Sequence, residues 1–481
     1  MAFLSDYPHL FTLRELALQK KISIYMVGGF VRDLILKRVN LDFDFAVEKN
    51  ALKLAEAFAD KIKGAYVLLD DENVCGRVVK KQKGIIYTYD FAQFRAPTLK
   101  QDLAHRDFSI NTLLIDINNI SLDEDLTAQI KDQNKGLVDL KKKTIRMVSP
   151  KIFVEDPLRV LRAYSICAVL NFKIDPNTLK QIQKDMKLLH KVSMERVREE
   201  FFKILGSPSA ALVLKEMDKI GLLSEIIPQI QVMKGCKQGG YHHLDVWKHS
   251  MEALRQYEIL AENFTGTEMG AYLNKPLSGT HTYNAMIKLA CLLHDIGKPD
   301  TRKKEINGFS FHGHENAGKG MARHIAKMLK LSTEERHWLE DLVAFHLRPG
   351  YLANFKVPSS RAIFRFLRDA GYKAPAITIL TMADQLATRG PLTTQESMDH
   401  LAQICGDLIK EYFRKQNEKP LVKFINGHDI MKALKLKPSP EVGKILREVE
   451  EAQALGKIKT KEEAVELARK ICVSQRSECE N

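Results

Sequence analysis

The chain has 481 residues, of which 45% are hydrophobic and 28% charged; this balance suits roughly three or four packed globular units and excludes a disordered or fibrous protein. Asp6, His9, Arg14 and Glu15 interrupt any secretory signal and no later apolar stretch is long enough to span a bilayer, so a cytoplasmic protein with no membrane partner is expected. The formal charge of +14, from 74 Lys+Arg against 60 Asp+Glu, points to a polyanionic partner such as nucleic acid, because basic surfaces gain affinity by releasing condensed counterions.

Along residues 1–150 the apolar runs Ile22–Val27, Ala65–Leu69, Ile85–Asp90 and Ser109–Asp116 read as strands and Ala51–Lys63 as a helix, which makes an α/β unit. From Glu155 the periodicity is almost wholly helical, through Pro157–Leu170, Pro176–Leu189, Ser193–Leu205 and Ala210–Ile220. Turn residues place one boundary near Ser149-Pro150 and another near Gly235–His243, and a last helical tail runs beyond about 405. The expected division is a head (1–150), a helical neck (151–230), a histidine-rich domain (231–400) and a tail (401–481). The seven cysteines, Cys75, Cys167, Cys236, Cys291, Cys405, Cys472 and Cys479, form no CxxC pair, and an odd, scattered set fits reduced thiols better than disulfides or a zinc knuckle.

Val27-Gly28-Gly29-Phe30-Val31-Arg32-Asp33 follows a strand and opens a helix, and Asp42-Phe43-Asp44 lies on the next strand. Glycines without Cβ let backbone N–H groups approach a triphosphate, the helix N-terminus adds its positive dipole end, and Arg32 adds a charged donor. Asp42 and Asp44, two residues apart on a strand, leave the same face and can share two Mg²⁺ ions, which would activate an attacking hydroxyl and stabilise a leaving pyrophosphate. Asp90 is a candidate third carboxylate from a neighbouring strand.

In their order and spacing these motifs resemble the head of the class II tRNA nucleotidyltransferase and bacterial poly(A) polymerase family, a polymerase-β-like branch. Further matches follow at His105-Arg106-Asp107-Phe108-Ser109-Ile110-Asn111, Gly136-Leu137-Val138-Asp139 and Glu155-Asp156-Pro157-Leu158-Arg159-Val160-Leu161-Arg162-Ala163. The resemblance implies an α+β multidomain protein whose nucleotidyltransferase head is followed by an all-α neck, an HD domain and a helical tail. It implies tRNA as acceptor, CTP and ATP as substrates, Gly29 and Arg32 on the nucleotide, Asp42 and Asp44 on the metals, and Arg106 in the nucleotide site. It departs from the family at His105, where an arginine is usual, and at Ser165, where a third arginine is common.

Asp156, Arg159 and Arg162 recur at three-residue steps, with Glu155 four before Arg159, and so share one helix face. Cytosine and adenine both present an exocyclic amine beside a ring-nitrogen acceptor, whereas uracil and guanine present a carbonyl beside an N–H. An aspartate accepting from the amine and an arginine donating to the ring nitrogen select C and A together, and the family resemblance assigns these roles to Asp156 and Arg159, with Arg162 as a further nucleotide contact. Glu155 is expected to hold the arginine in place. Ser193–Phe202 resembles the next family motif and reads as a support helix with a capping serine.

Between 240 and 390 stand His249, the doublet His294-Asp295, His314, His346 and Asp384, which in this order resemble the HD superfamily of metal-dependent phosphohydrolases. Mixed imidazole and carboxylate ligands suit Mn²⁺, Fe²⁺, Ni²⁺ or Co²⁺, with Mg²⁺ left open, and the adjacent His294 and Asp295 are expected to face one centre. His242, His243 and His312 are alternative ligands or substrate contacts. The tail segments Ile425–Ile430 and Lys435–Gly443 resemble the C-terminal helices of HD-bearing members and suggest tRNA docking. The connection Phe91–Leu103 is short, where full CCA-adding relatives typically carry a longer loop; a tight connection with Pro97 favours CC addition over the terminal A, since changing a pyrimidine pocket into a purine pocket needs movement. The head motifs by themselves leave full CCA, CC-only, A-only and poly(A) synthesis open.

Overall fold

The structure, a computed structural model, describes residues 7–72, 74–121, 124–306, 308–418 and 422–479; the side chains of Pro8 and of 474–479, Cys479 among them, lie outside the description. The chain divides into two compact units, Met1–Ile226 and Ile227–Asn481. The finer divisions expected at 150 and 400 fall inside these units.

The first unit is built on a six-stranded sheet of β1 (Ile24–Val27), β2 (Asp42–Val47), β3 (Ala65–Asp70), β4 (Cys75–Gln82), β5 (Ile85–Gln93) and β6 (Leu114–Asp116), in the order β3-β4-β5-β2-β1-β6. Only β2 and β5 run parallel, and their register sets Asp42 beside Thr88, Phe43 beside Tyr89, Asp44 beside Asp90 and Phe45 beside Phe91. Because side chains alternate across a strand, this register sorts the two faces. On one face Phe43 stacks on Tyr89 and Phe45 on Phe91, at centroid distances of 5.0 and 5.1 Å. Phe58 packs on the Tyr89 and Phe91 rings from the helix Ala51–Ile62, which buries Ala51, Leu54, Ala55, Phe58, Ala59 and Ile62 at helical spacing. The opposite face of the same strands carries Asp42, Asp44, Thr88 and Asp90, so the core on one side fixes the position of the carboxylates on the other.

Several elements differ from the sequence reading. The expected strand Ser109–Asp116 is a 3-10 turn, Ser109–Asn111, followed by β6. Thr112 Oγ1 donates to the Ser109 carbonyl at 2.8 Å and closes the turn, while the Ser109 hydroxyl donates to Asp139 at 2.6 Å. β4 escaped notice because its last residues, Lys80, Lys81 and Gln82, dilute the apolar pattern. The helix expected from Pro157 begins at Arg159, after a separate turn Ile152–Glu155, and Asp156 between them is extended at φ −143°, ψ 97°. The residue before a proline is pushed out of the helical region, so Asp156 does not share a helix face with Arg159 and Arg162 as expected. Ser193 precedes the helix Met194–Gly206 without a side-chain cap.

The second unit is mainly helical, around Val246–Glu262, Tyr283–Leu293, His314–Met328, Thr333–Phe345, Ala374–Ala387 and Gln395–Asn417, with two short hairpins that the helical reading omitted. The tail helices Gly427–Leu434, Pro440–Ala454 and Lys461–Cys479 bury Ile430, Ile445, Val449, Ala464 and Ala468 in their own core. They are tied to the helix Ser360–Ala370 through Arg365 Nε, 2.7 Å from the buried Glu451. Among the described cysteines Cys75, Cys167, Cys236, Cys291, Cys405 and Cys472 are free thiols, as expected. No helix of the described residues is long and apolar enough to cross a membrane.

Candidate functional site

Gly28 ends β1 and caps the helix Gly29–Ile35 at φ 78°, ψ −145°. A Cβ there would stand 2.6 Å from Asp44 Oδ2, so a residue with no side chain is required both by the backbone and by the carboxylate beside it. Gly29 is different: a Cβ would meet Arg32 at 3.5 Å and Asn40 at 3.7 Å, which is ordinary contact.

The nine residues of the expected nucleotide and metal sites, Gly28, Gly29, Arg32, Asp42, Asp44, Arg106, Asp156, Arg159 and Arg162, line two adjoining cavities. One, of about 230 Å³, is lined by Gly28, Asp44, Arg106, Asp156, Arg159 and Arg162. The other, of about 260 Å³, is lined by Gly29, Arg32, Asp42, Asp44 and Arg162. Asp44, Asn111 and Arg162 belong to both walls. Burial and the neighbouring Asp42 and Asp90 carboxylates push the Asp44 pKa up to about 6, against the lowering pull of Arg106 and Arg162. A cluster of like charges of this kind is the electrostatic counterpart of a divalent-cation site, since a cation relieves the repulsion. Asp90, the candidate third carboxylate, lies beside Asp44 and is held by Arg77 through two 2.7 Å bonds.

Side chains that the sequence did not single out fix this arrangement. The Thr88 hydroxyl donates to Asp42 Oδ1 across the parallel pair. Asn40 accepts from the Asp42 amide at 2.9 Å and donates to Asp33 at 2.8 Å, while Arg32 forks onto Asp33 at 2.9 and 3.0 Å. Arg32 also donates to Asn111 at 3.0 Å, Asn111 to Asp107 at 3.0 Å, and Arg162 pairs with Asp107 at 2.9 Å. Burial works against the Asp107 charge, yet Arg162, Asn111 and the Phe108 amide hold its pKa below the usual carboxylate value. A continuous polar chain thus runs from the Asp42 amide through Asn40, Asp33, Arg32, Asn111 and Asp107 to Arg162 on the helix Arg159–Leu170. Asn40 and Asn111 carry no titratable signal, and the pairing of Asn111 with Arg32 spans 79 residues of sequence, which is why pattern reading gives neither a role.

Arg159, only 6% exposed, donates to the His105 carbonyl at 2.8 Å and lies 3.6 Å from Glu155, which holds it as expected. His105 in turn meets Glu155 at 3.1 Å. Asp156 pairs with Arg196 at 3.1 Å. Each of the two retains hydrogen-bonding capacity toward the shared cavity, because a guanidinium has five donors and a carboxylate about four acceptor positions. At the departure point, Ser165 is buried and its hydroxyl donates to Glu200.

In the second unit the six predicted residues converge from five helices or helix ends. His294, His314 and His346 each place Nδ1 on the carbonyl three residues earlier, of Cys291, Phe311 and Val343, at 2.9, 2.8 and 2.7 Å. A carbonyl only accepts, so Nδ1 carries the proton and Nε2 offers its lone pair; all three Nε2 atoms are buried without a hydrogen-bond partner. Buried imidazole lone pairs of this kind fit a metal ion, whose ligands need such orientation from outside the coordination sphere.

The residues gather as two adjoining donor groups, His249 with His294 and Asp384, and Asp295 with His314 and His346. Asp295 adjoins both: Oδ2 lies 3.2 Å from His294 and 3.6 Å from His249, and Oδ1 lies 3.4 Å from His314 and 3.8 Å from His346. Lys298, missed in the sequence, pairs with Asp295 at 2.7 Å and with Gln238 at 2.7 Å. Of the alternatives, His242 packs edge-on against His249 at 4.7 Å and burial lowers its pKa to about 3, whereas His243 and His312 are exposed.

Known proteins resemble the chain over both of its units. Residues 24–146 match the poly A polymerase head domain, 171–233 the probable RNA and SrmB-binding site of polymerase A, 246–389 the HD domain and 365–468 the tRNA nucleotidyltransferase domain 2. An A-adding tRNA nucleotidyltransferase of Deinococcus radiodurans is 31% identical over 449 residues, covering 91% of this chain and 93% of the relative. A CC-adding tRNA nucleotidyltransferase of Thermus thermophilus is 30% identical, covering 92% of each chain. A solved CCA-adding enzyme complexed with ATP shares the fold at a TM-score of 0.60 and 20% identity, over 97% of this chain and 95% of that one. The chain belongs to the tRNA nucleotidyltransferase family, with the multidomain α+β architecture of a nucleotidyltransferase head followed by helical and HD regions.

Proposed function

We propose that the protein adds C and A nucleotides from CTP and ATP to the 3′ end of tRNA, reading the incoming base with side chains instead of a nucleic-acid template. The observation that carries this reading is the meeting of the Asp42/Asp44 pair, the glycine-led helix start and the Asp156/Arg159 pair on two cavities that share Asp44. The triphosphate occupies the cavity at Gly29 and Arg32, where the amides of a helix N-terminus and a guanidinium converge. The base enters the cavity of Asp156 and Arg159. Asp156 accepts from the exocyclic amine and Arg159 donates to the ring nitrogen, while Asp107 holds Arg162 and Asn111 holds Arg32 so that both cations keep their aim. Asp42 and Asp44 are the residues that would hold divalent ions, Mg²⁺ foremost, and such ions supply an activated 3′-hydroxyl and a neutralised pyrophosphate leaving group. The protein then needs no nucleophile of its own. With tRNA lacking its last three nucleotides and α-labelled CTP, label enters the tRNA of the unaltered protein and none enters with Asp42→Ala or Asp44→Ala, although both variants still bind tRNA. Persistence of near-original rates in either variant overturns the assignment.

The functional regions proposed are the head at 1–150, a neck with the base-reading and RNA-binding residues at 151–230, an HD domain at 231–400 and a tRNA-docking tail at 401–481. A cytoplasmic setting fits these substrates. At the HD site His249, His294 and Asp384, with Asp295, His314 and His346, would hold Mn²⁺, Ni²⁺, Co²⁺ or Mg²⁺, which supply Lewis-acid chemistry for hydrolysis of a phosphomonoester or a 2′,3′-cyclic phosphate. Lys298 fixes the Asp295 carboxylate between the two donor groups.

A second reading, addition of CC with poor addition of the terminal A, is favoured by the connection after β5. Only residues 94–98 separate that strand from the helix Leu99–Ala104, and the Arg95 amide is fastened to Asp102 at 3.0 Å. Given tRNA ending in CC with ATP alone, this reading expects slow and incomplete addition; rapid and complete addition restores the full CCA reading.

A further inference from the structure

We infer that Lys203 is a phosphate-binding residue of the nucleotide site, contacting the triphosphate from the helix Met194–Gly206 in the cavity that Gly29 and Arg32 also line. The inference rests on the reading that the cavity of Gly29, Arg32, Asp42 and Asp44 receives the triphosphate. Lys203 lines that cavity together with Ser165 and Glu200. Glu200 is 5% exposed and both of its oxygens are engaged: Oε2 accepts from the Ser165 hydroxyl and Oε1 lies 2.7 Å from Lys203 Nζ. A buried carboxylate is costly unless paired, so Glu200 anchors the ammonium at the cavity wall. The lysine side chain is nevertheless 57% exposed, and Glu200 occupies one of its three N–H donors, which leaves two for an incoming anion.

The other cations of this cavity also have carboxylate partners. Arg32 is tied by three bonds to Asp33 and Asn111, and Arg162 is paired with Asp107. The helix Arg159–Leu170 presents Arg159 and Arg162 at three-residue steps, and the next step on that face is the short, neutral Ser165. The side of the cavity beyond Arg162 therefore takes no cation from that helix. Lys203 supplies it from the neighbouring helix, through the Glu200 carboxylate that Ser165 also contacts.

The same ammonium chemistry could serve a phosphate of the tRNA backbone, and the experiment separates the two sources. Equilibrium binding of CTP and of cytidine, and KM for CTP and for tRNA lacking CCA, are measured for the unaltered protein, Lys203→Gln and Lys203→Arg. The expected result is that Lys203→Gln weakens CTP binding about tenfold, the size of one charge-assisted contact at a partly solvated position, and leaves cytidine binding unchanged. KM for CTP rises accordingly, KM for tRNA holds, and Lys203→Arg restores most of the affinity. Unchanged CTP binding in Lys203→Gln, equal losses for CTP and cytidine, or a rise confined to KM for tRNA overturns the inference. If the unaltered protein itself binds CTP no better than cytidine, the placement of the triphosphate fails, and the role of Lys203 fails with it.

Discussion

Replacing Gly28 by alanine tests whether the first glycine of the pair serves the backbone and the Asp44 carboxylate at once. At φ 78°, ψ −145° the residue occupies a region that L side chains scarcely enter, which costs about 1–3 kcal/mol. The new Cβ would also stand 2.6 Å from Asp44 Oδ2 and 3.3 Å from its Cβ and Cγ, so the carboxylate must retreat by about 0.8 Å to reach the 3.4 Å of ordinary contact. At roughly 2–4 °C per kcal/mol for a unit of this size, the melting temperature should fall by about 2–12 °C. Displacing a metal carboxylate by most of an ångström should lower the rate of nucleotide addition on the order of a hundredfold. The assays are thermal unfolding and single-turnover incorporation of labelled CMP. Gly29→Ala is the control: its Cβ meets only ordinary contacts, so folding should be untouched and any loss confined to KM for the nucleotide. A Gly28→Ala protein that melts within a degree of the original and adds nucleotides within threefold of its rate would refute the reasoning, as would a Gly29→Ala protein impaired just as badly.

Asp156→Ala should raise incorporation of UTP relative to CTP by about 10–100-fold, the worth of one base-edge contact, read by sequencing 3′ ends; an undiminished preference for C and A rules out side-chain reading by this residue. Asp295→Ala should abolish metal binding and metal-dependent phosphate hydrolysis in the second unit while nucleotide addition survives, and loss of both activities together contradicts separate sites. For Asp107 the folded pKa lies below the unfolded value of about 3.9, so its stabilisation is present above that value and disappears as pH falls through the folded pKa. Asp107→Asn should therefore lower stability at pH 7 and flatten the dependence of melting temperature on pH between about 5 and 2; a curve parallel to the original shows that the Arg162 pair is not a stability term.

The head motifs were legible because each is local: the two glycines open a helix, and Asp42 and Asp44 share a strand face by period alone. Phe43, Phe45, Tyr89 and Phe91 alternate with the carboxylates, so the same pattern that marks the core also marks the site. The reading failed where one residue changed the backbone, as at Pro157, which turns Asp156 out of the helix that the three-residue spacing suggested. It also missed pairings set by tertiary register. Thr88 meets Asp42 only because β2 and β5 are parallel and aligned, and Asn111 links Arg32 to Asp107 across 79 residues of sequence. In the second unit the order of His and Asp marked which side chains converge, but the approach of one Asp295 oxygen to His294 and of the other to His314 is set by tertiary packing.

Side chains that choose the nucleotides joined to a tRNA end leave their mark in the sequence of that end. The most direct measurement supplies a tRNA lacking its last three nucleotides with all four NTPs together and Mg²⁺, and then sequences every 3′ end. The account predicts ends extended by C, CC or CCA, with U and G rare and extension stopping at or before the third nucleotide. Open-ended adenosine tails, random extension by all four nucleotides, or no extension at all would contradict it.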